Sequence, residues 1–220
     1  MIPNHYPEVI VPLLKSLGQF PVLGARVIII ADGHDNDYGF EAIRYPDEKF
    51  VFAKAVNLGV RALGRQDVVL LNDDCILIEP RPFQRLEEIA QLSSQIGILS
   101  PLIKGCVGNS IQRWHERDRF WQSREVIHFA MGKEPICFPC VYIKRTVFDA
   151  IGLLSESFTG YGGEDNDFCI KCRAVGILTA ATSRVVVQHG NGGPELQEGR
   201  GKTWSVSFAR KEEEYRRKYY

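Results

Sequence analysis

Two adjacent carboxylates, Asp73 and Asp74, close an apolar run that reads Leu70-Leu71-Asn72-Asp73-Asp74-Cys75-Ile76. Between apolar flanks they repel one another unless a cation or a hydrogen-bond donor compensates. Mg²⁺ and Mn²⁺ prefer such hard oxygen ligands, and one or two protein carboxylates suffice when a substrate supplies phosphates. An ordinary turn, with Asn72 and Asp73 capping backbone donors, uses the same residue types. A second acidic group, Gly162-Gly163-Glu164-Asp165-Asn166-Asp167, follows a glycine pair that permits a tight turn and close ligand approach. Its acids fall in the first turn of a helix, where they complement the dipole. Three acids in four residues exceed what capping needs, and a carboxylate there could act as general base toward a hydroxyl. His189 follows the apolar Val185-Val186-Val187 and precedes a Gly/Asn-rich loop. A lone histidine is commonly structural, but at a strand end facing two acidic clusters it becomes a metal-ligand candidate.

The elements that must position these groups alternate between apolar strands and amphipathic helices, the pattern of an α/β domain. Helices are expected over 9–17, from Ala53 to Leu63, from Pro82, over 146–151 and over 164–175. Strands are expected over 26–31, 67–71, 96–100, 137–143 and 184–187. In open α/β sheets ligands bind outside the carboxyl ends of the strands, and each cluster above sits after a strand or at a helix entrance. The stretch 104–135 shows no clean period and reads as long loops, which in a compact domain serve as lids or binding segments or are disordered. The tail 204–220 reads as a charged amphipathic helix, most simply a solvated one.

The chain has 220 residues with 27 basic and 27 acidic side chains, so nothing in its charge balance points to nucleic acid or an anionic membrane. No apolar run approaches the ~20 residues of a membrane-spanning helix. Residues 1–5 lack the features of a signal peptide, so a cytoplasmic protein is the expectation. Two CxxC pairs, Cys137/Cys140 and Cys169/Cys172, raise a zinc site. The first runs into a strand and the second lies on a helix stripe, where cysteine behaves as a small hydrophobe.

In this order, the segments resemble family 2 glycosyltransferases of the GT-A fold. Asp73-Asp74 matches the DxD-type signature. Phe52-Ala53-Lys54-Ala55-Val56-Asn57-Leu58-Gly59 is similar to the upstream FAxAxNxG segment, and Arg145 to Gly152 to the family's RxxFxxxG helix. Gly162 to Asp167 matches the GxEDxD element, which also resembles that of β-1,4-galactosyltransferases, and His189 matches the histidine after the last strand. The resemblance covers nearly the whole chain. It implies a single GT-A, Rossmann-like domain over 1–203, with a mostly parallel central sheet flanked by helices. Its implied activity moves a sugar from a nucleotide-diphosphate donor, UDP-linked by the family's habit, to the hydroxyl of a glycan or other acceptor.

By the same resemblance Asp74 and His189 would hold Mn²⁺ or Mg²⁺, with Asp73 near the donor ribose or the metal and Asp32 contacting the nucleoside. Lys54 would approach the base or diphosphate, or stand as a solvated helix residue. Asp165 would be the general base of an inverting transfer, with Glu164 and Asp167 orienting acceptor or helix. Trp114, His115 and Trp121 are candidates for acceptor contact, since aromatic faces stack on sugars; a packed flap is the alternative. A retaining enzyme of the same fold and a non-catalytic sugar-nucleotide or glycan binder are the rival readings. One departure stands out: the family opens with a full apolar strand, and here the first strand is reduced to the few residues after Met1.

Overall fold

The computed structural model describes residues 1–33, 36–46, 49–105, 110–114, 127–130, 135–158 and 162–190. The expected helix at 204–220 and the side chains of His115 and Trp121 lie outside them. The strands are β1 (Ile2–Asn4), β2 (Ile28–Asp32), β3 (Glu41–Tyr45), β4 (Val68–Leu71), β5 (Cys75–Leu77), β6 (Ile96–Lys104), β7 (Ile127–Phe129), β8 (Cys140–Ile143) and β9 (Leu178–His189). The helices are α1 (Val11–Gln19), α2 (Phe52–Leu63), α3 (Pro82–Ala90), α4 (Arg145–Ile151) and α5 (Glu164–Ala174).

Strands β1, β2 and β3 form a parallel sheet, and the other six form a mixed one in which β4, β8, β6, β9 and β5 are successive neighbours and β7 pairs with β9. The two are joined at β1. The backbone N–H of Leu71 donates to Met1 O at 3.1 Å and the backbone nitrogen of Met1 donates to Val69 O at 2.9 Å, so β1 lies between β2 and β4. Residues 2–4 therefore fill the central position that the sequence left nearly bare. Since β8 runs against both β4 and β6, and β5 and β7 run against β9, six strands share one direction and three oppose it. The carboxyl ends of β1, β2, β4, β6 and β9 then lie along one edge.

Strand alternation divides the core between the two faces. Ile28, Ile30, Leu70 and Ile98 pack with Val60 of α2, Phe148 of α4 and Phe168 of α5. Ile29, Leu71, Leu99 and Tyr142 pack with Leu17 of α1 and Leu86 of α3. The result is an α/β/α layering with the sheet buried on both sides. Cys140, Cys169 and Cys172 are buried within these clusters.

Several elements differ from the expectations. Strand β8 starts at Cys140 rather than 137, because Gln112 occupies the backbone of Cys137: its Nε2 donates to Cys137 O at 2.8 Å and its Oε1 accepts from Cys137 N at 2.8 Å. Strand β9 begins at Leu178, since Thr179 to Thr182 already pair with β6, and Ala180 to Thr182 also with β7. Its pairing with β6 then skips: Pro101 faces Thr182 and Leu102 faces Val186, so Ser183, Arg184 and Val185 bulge out of the β6 ladder. No helix of the described residues is long and apolar enough to cross a membrane.

Candidate active site

Along the carboxyl edge, β4 ends in Asn72-Asp73-Asp74 and β9 ends in His189. The antiparallel register of β5 and β9 sets Cys75 opposite His189, which brings the residue before Cys75 to the imidazole. His189 Nε2 lies 3.1 Å from Asp74 Oδ1, and Gly190 N donates to the Asp74 carbonyl at 3.1 Å. Asp74 is buried. The two residues matched to the metal role are thus neighbours, although 115 positions separate them (189 − 74). In the same turn, two residues before Asp74, the buried side-chain oxygen of Asn72 accepts no hydrogen bond among the described residues. Asp74 and His189 are oxygen and nitrogen donors of the kinds that can hold a divalent cation completed by substrate oxygens. No group of three or more His, Cys, Asp or Glu side chains among the described residues converges on one point, so the protein's share of such a site would be small.

Asp73 turns the other way, toward β1. Asn4, fully buried at the end of β1, donates from Nδ2 to Asp73 Oδ2 at 2.9 Å and to Tyr6 O at 2.8 Å, and its Oδ1 accepts from the Tyr38 hydroxyl at 3.1 Å. Burial pushes the Tyr38 hydroxyl up, Asn36 offsets part of that by hydrogen bonding, and the charge of Asp73 adds to it. Next along, His5 Nδ1 is paired with Asp32 Oδ2 at the end of β2. The His5 ring stacks on Phe50 at 4.8 Å and 21°, and meets Tyr6 at 4.2 Å. Sequence reasoning singled out Asp32 and missed Asn4, His5 and Phe50. The available signal was that Asn4 and His5 directly follow the short apolar start.

The second acidic cluster opens α5. Gly163 precedes the helix with φ +95°, in the left-handed region, and the Glu164 carboxylate accepts from Gly162 N at 3.0 Å. Asp165 Oδ1 accepts from Asn166 N at 2.8 Å. Burial pushes the Asp165 carboxyl above the usual carboxylate range, with backbone N–H groups of Asn166, Asp165, Gly163 and Phe138 offsetting part of the shift. Asp167 is buried and its Oδ2 lies 2.6 Å from Lys171 Nζ, one turn further along α5.

Residues 136–139 join the two clusters. Ile136 O accepts from Cys169 Sγ at 3.6 Å, Phe138 offers its backbone to Asp165, and Pro139 O accepts from Asn72 N at 2.8 Å and Cys75 Sγ at 3.2 Å. Asp165 and the Asn72–Asp74 turn therefore flank one dipeptide. Lys54 lies half-buried in the first turn of α2. Trp114 follows a 3₁₀ turn over Ser110–Gln112 and donates its backbone N–H to Ile103 O at 3.2 Å, near the end of β6. A cavity of about 510 Å³ opens at the opposite ends of the strands, lined by Leu17, Val27, Asp67, Val69, Phe83 and Tyr142 among others, and holds none of these site residues.

The architecture is the mixed α/β GT-A fold, as comparison with solved structures shows. GalNAc-T7, solved with UDP, GalNAc and Mn²⁺, superposes with a TM-score of 0.64 at 13% identity over 86% of this chain and 42% of its own. Residues 1–349 of S. aureus TarS give 0.60 at 11% identity, over 86% of this chain and 58% of that one. A longer TarS chain gives 0.56 at 12% identity, covering 87% and 35%. The uncharacterized protein y4gI of Sinorhizobium fredii is 25% identical over 201 residues, 80% of this chain and 19% of its own length. The chain thus spans 19% of that relative's length and 35% to 58% of the structural neighbours'. No protein-family model matches it.

Proposed function

We propose that the chain is a glycosyltransferase that moves a sugar from a nucleotide-diphosphate donor, a UDP-sugar first, to an acceptor hydroxyl with inversion. The observation that carries this reading is the meeting of Asp74 with His189 at the carboxyl edge of a GT-A sheet, across Phe138-Pro139 from Asp165. The solved neighbour holding UDP, GalNAc and Mn²⁺ has the same fold, which supports the choice of donor.

In this scheme Asp74 and His189 would hold a divalent cation, and the unpartnered side-chain oxygen of Asn72, two residues before Asp74, is a further polar group of the same turn. Bound there, the ion would neutralise charge developing on the departing diphosphate. Asp165 takes the proton of the acceptor hydroxyl as that oxygen bonds to the anomeric carbon and the bond to the diphosphate breaks. A carboxyl held above the usual range by burial is the stronger base for this work. Glu164 fixes the turn by holding Gly162 N, and Asp167 is tied to Lys171, which stiffens the first turn of α5. Asp73 is oriented by Asn4, and Asp32 with His5 and Phe50 forms a polar and stacking end for the nucleoside, with Lys54 nearby in chain order. Trp114 is the acceptor contact proposed among the described residues, and Trp121, outside them, is proposed for the same role from sequence.

Thermal denaturation against a panel of nucleoside diphosphates, with and without Mn²⁺, tests the reading. A rise in Tm for one nucleotide that requires the metal is expected, since ligands of the native state stabilise it. The absence of any metal-dependent rise across the panel would remove the donor site from this edge.

A further inference from the structure

We infer that Asn57 is a positioning residue for the acidic turn, acting through Glu156 and Phe158 on the backbone that carries Glu164 and Asp165. Calling that turn catalytic rests on the function proposed above; the contacts themselves do not. Asn57 sits in the middle of α2, a position where an amide side chain is a weak helix former, and it is buried to 1% exposure. Its side chain spends every strong hydrogen-bonding direction on one distant segment. Nδ2 donates to Leu154 O and to Glu156 Oε1, both at 2.9 Å, and Oδ1 accepts from Leu154 N at 3.0 Å. Arg61, one turn along the same helix, stands 3.7 Å from Glu156 Oε1. Residues 154–156 are therefore held to α2 chiefly by the buried Asn57 amide, with the more exposed Arg61 beside Glu156 as a second link.

The pinned segment then reaches the turn. Phe158, two residues on, is nearly buried, and its ring lies so close to Gly163 that a Cβ there would meet Cδ1 and Cε1 at 3.1 Å. Gly163 also takes φ +95°, a conformation a side chain would strain, and a Cβ there would need the Phe158 ring to give way by a few tenths of an ångström. Gly163 O accepts from Asp167 N and its neighbour Gly162 gives its N–H to Glu164, so a shift of Gly163 moves the helix entrance that presents Asp165. Nothing else about Asn57 explains the arrangement: a buried helix position that only packed would favour Ala or Leu.

Amide hydrogen exchange of Asn57→Ala and of Phe158→Leu, read by NMR residue by residue, tests the relay without any substrate. In Asn57→Ala, exchange at Leu154, Gly162, Asn166 and Asp167 should rise roughly tenfold, the scale of one lost buried hydrogen bond, while Val141 to Ile143 in β8 keep their protection. In Phe158→Leu, which leaves Asn57 intact, the rise should appear at Gly162, Asn166 and Asp167 but not at Leu154. Faster exchange at Leu154 alone in Asn57→Ala overturns the relay, and so does a uniform rise that includes β8 or a failure of Phe158→Leu to reach the turn. Where a UDP-sugar is turned over, Asn57→Ala should lower kcat with donor KM unchanged. A chain that turns over no donor while showing the expected exchange pattern refutes the proposed function and leaves the relay standing.

Discussion

A side chain on Gly105 would place its Cβ 2.4 Å from the carbonyl oxygen of His189. Gly105 ends the β6 edge with φ +89°, and His189 ends the adjacent β9, so β6 can approach the imidazole-bearing residue only because position 105 is bare. Gly105→Ala should therefore push His189 away from Asp74. We expect a loss of roughly 1–3 kcal/mol of stability from strain at φ > 0 and backbone overlap. The metal-dependent rise in Tm expected with UDP under the proposed function should be absent in the same variant. Unchanged Mn²⁺-dependent behaviour would show that His189 has no part in the site.

Removing the proposed ligands directly gives a sharper contrast. If the proposed donor site holds, His189→Ala and Asp74→Asn should each abolish any Mn²⁺ dependence of nucleotide binding and weaken that binding by about tenfold or more, the scale of one lost charge-assisted contact. Titration calorimetry with UDP, with and without Mn²⁺, measures it. Metal-dependent affinity that survives both substitutions places the cation elsewhere.

Asp165 should fall into a different class. Asp165→Asn keeps an oxygen to accept the Asn166 N–H but cannot take a proton, so turnover should drop about 10²–10⁴-fold while nucleotide binding is retained. In the parent protein the acidic limb of the pH–rate profile should lie above the ordinary carboxylate range, because burial raises this carboxyl and only its ionised form is a base. The sign for stability is the reverse. A carboxyl whose folded pKa is raised binds its proton more tightly in the native state, so its ionised form costs stability once the pH exceeds that pKa. Asp165→Asn should consequently melt no lower than the parent at pH 7, and calorimetry at pH 5 and 7 checks the direction.

Asp67 serves as a control at the far ends of the strands. Its carboxylate accepts from the Tyr142 hydroxyl and, at 2.7 Å, from Arg145 N at the start of α4. Burial and the adjacent Asp67 push the Tyr142 hydroxyl well up, so Tyr142 stays a donor throughout the working pH range. Asp67→Ala leaves the buried hydroxyl and a helix-end N–H without their acceptor. The expected cost is about 1–3 kcal/mol, or a Tm lower by some 2–4 °C per kcal/mol, with nucleotide binding unchanged.

The parts of the molecule that were legible from sequence share one property: their signal is local. Asp74 and His189 each follow an apolar run, and Glu164-Asp165 follow a glycine pair, so chain order alone put them at strand ends and a helix entrance. Strand β3 escaped because it is an edge strand with four of its five residues outside the core and no alternation to read. Strand β5, three residues long, was absorbed into the turn after Asp74. Asn57 was read only as a letter in a motif, since its partners lie 97 to 99 positions away and nothing in its neighbours announces them. Gln112 was invisible for the same reason, although it sets where β8 begins.

Strand β9 carries a last consequence. Before its bulge it shares Ala180 to Thr182 with β7, the strand that emerges from the 104–135 stretch, and after the bulge it sets His189 against β5 and Asp74. One continuous strand thus links the stretch paired with β7 to the imidazole, with three residues, Ser183 to Val185, out of the β6 ladder midway. The bulge sets the phase between these two halves, so a one-residue deletion there would turn the side chains from Val186 to His189 to the other face of the sheet while the pairing of Ala180 to Thr182 with β7 stays in place.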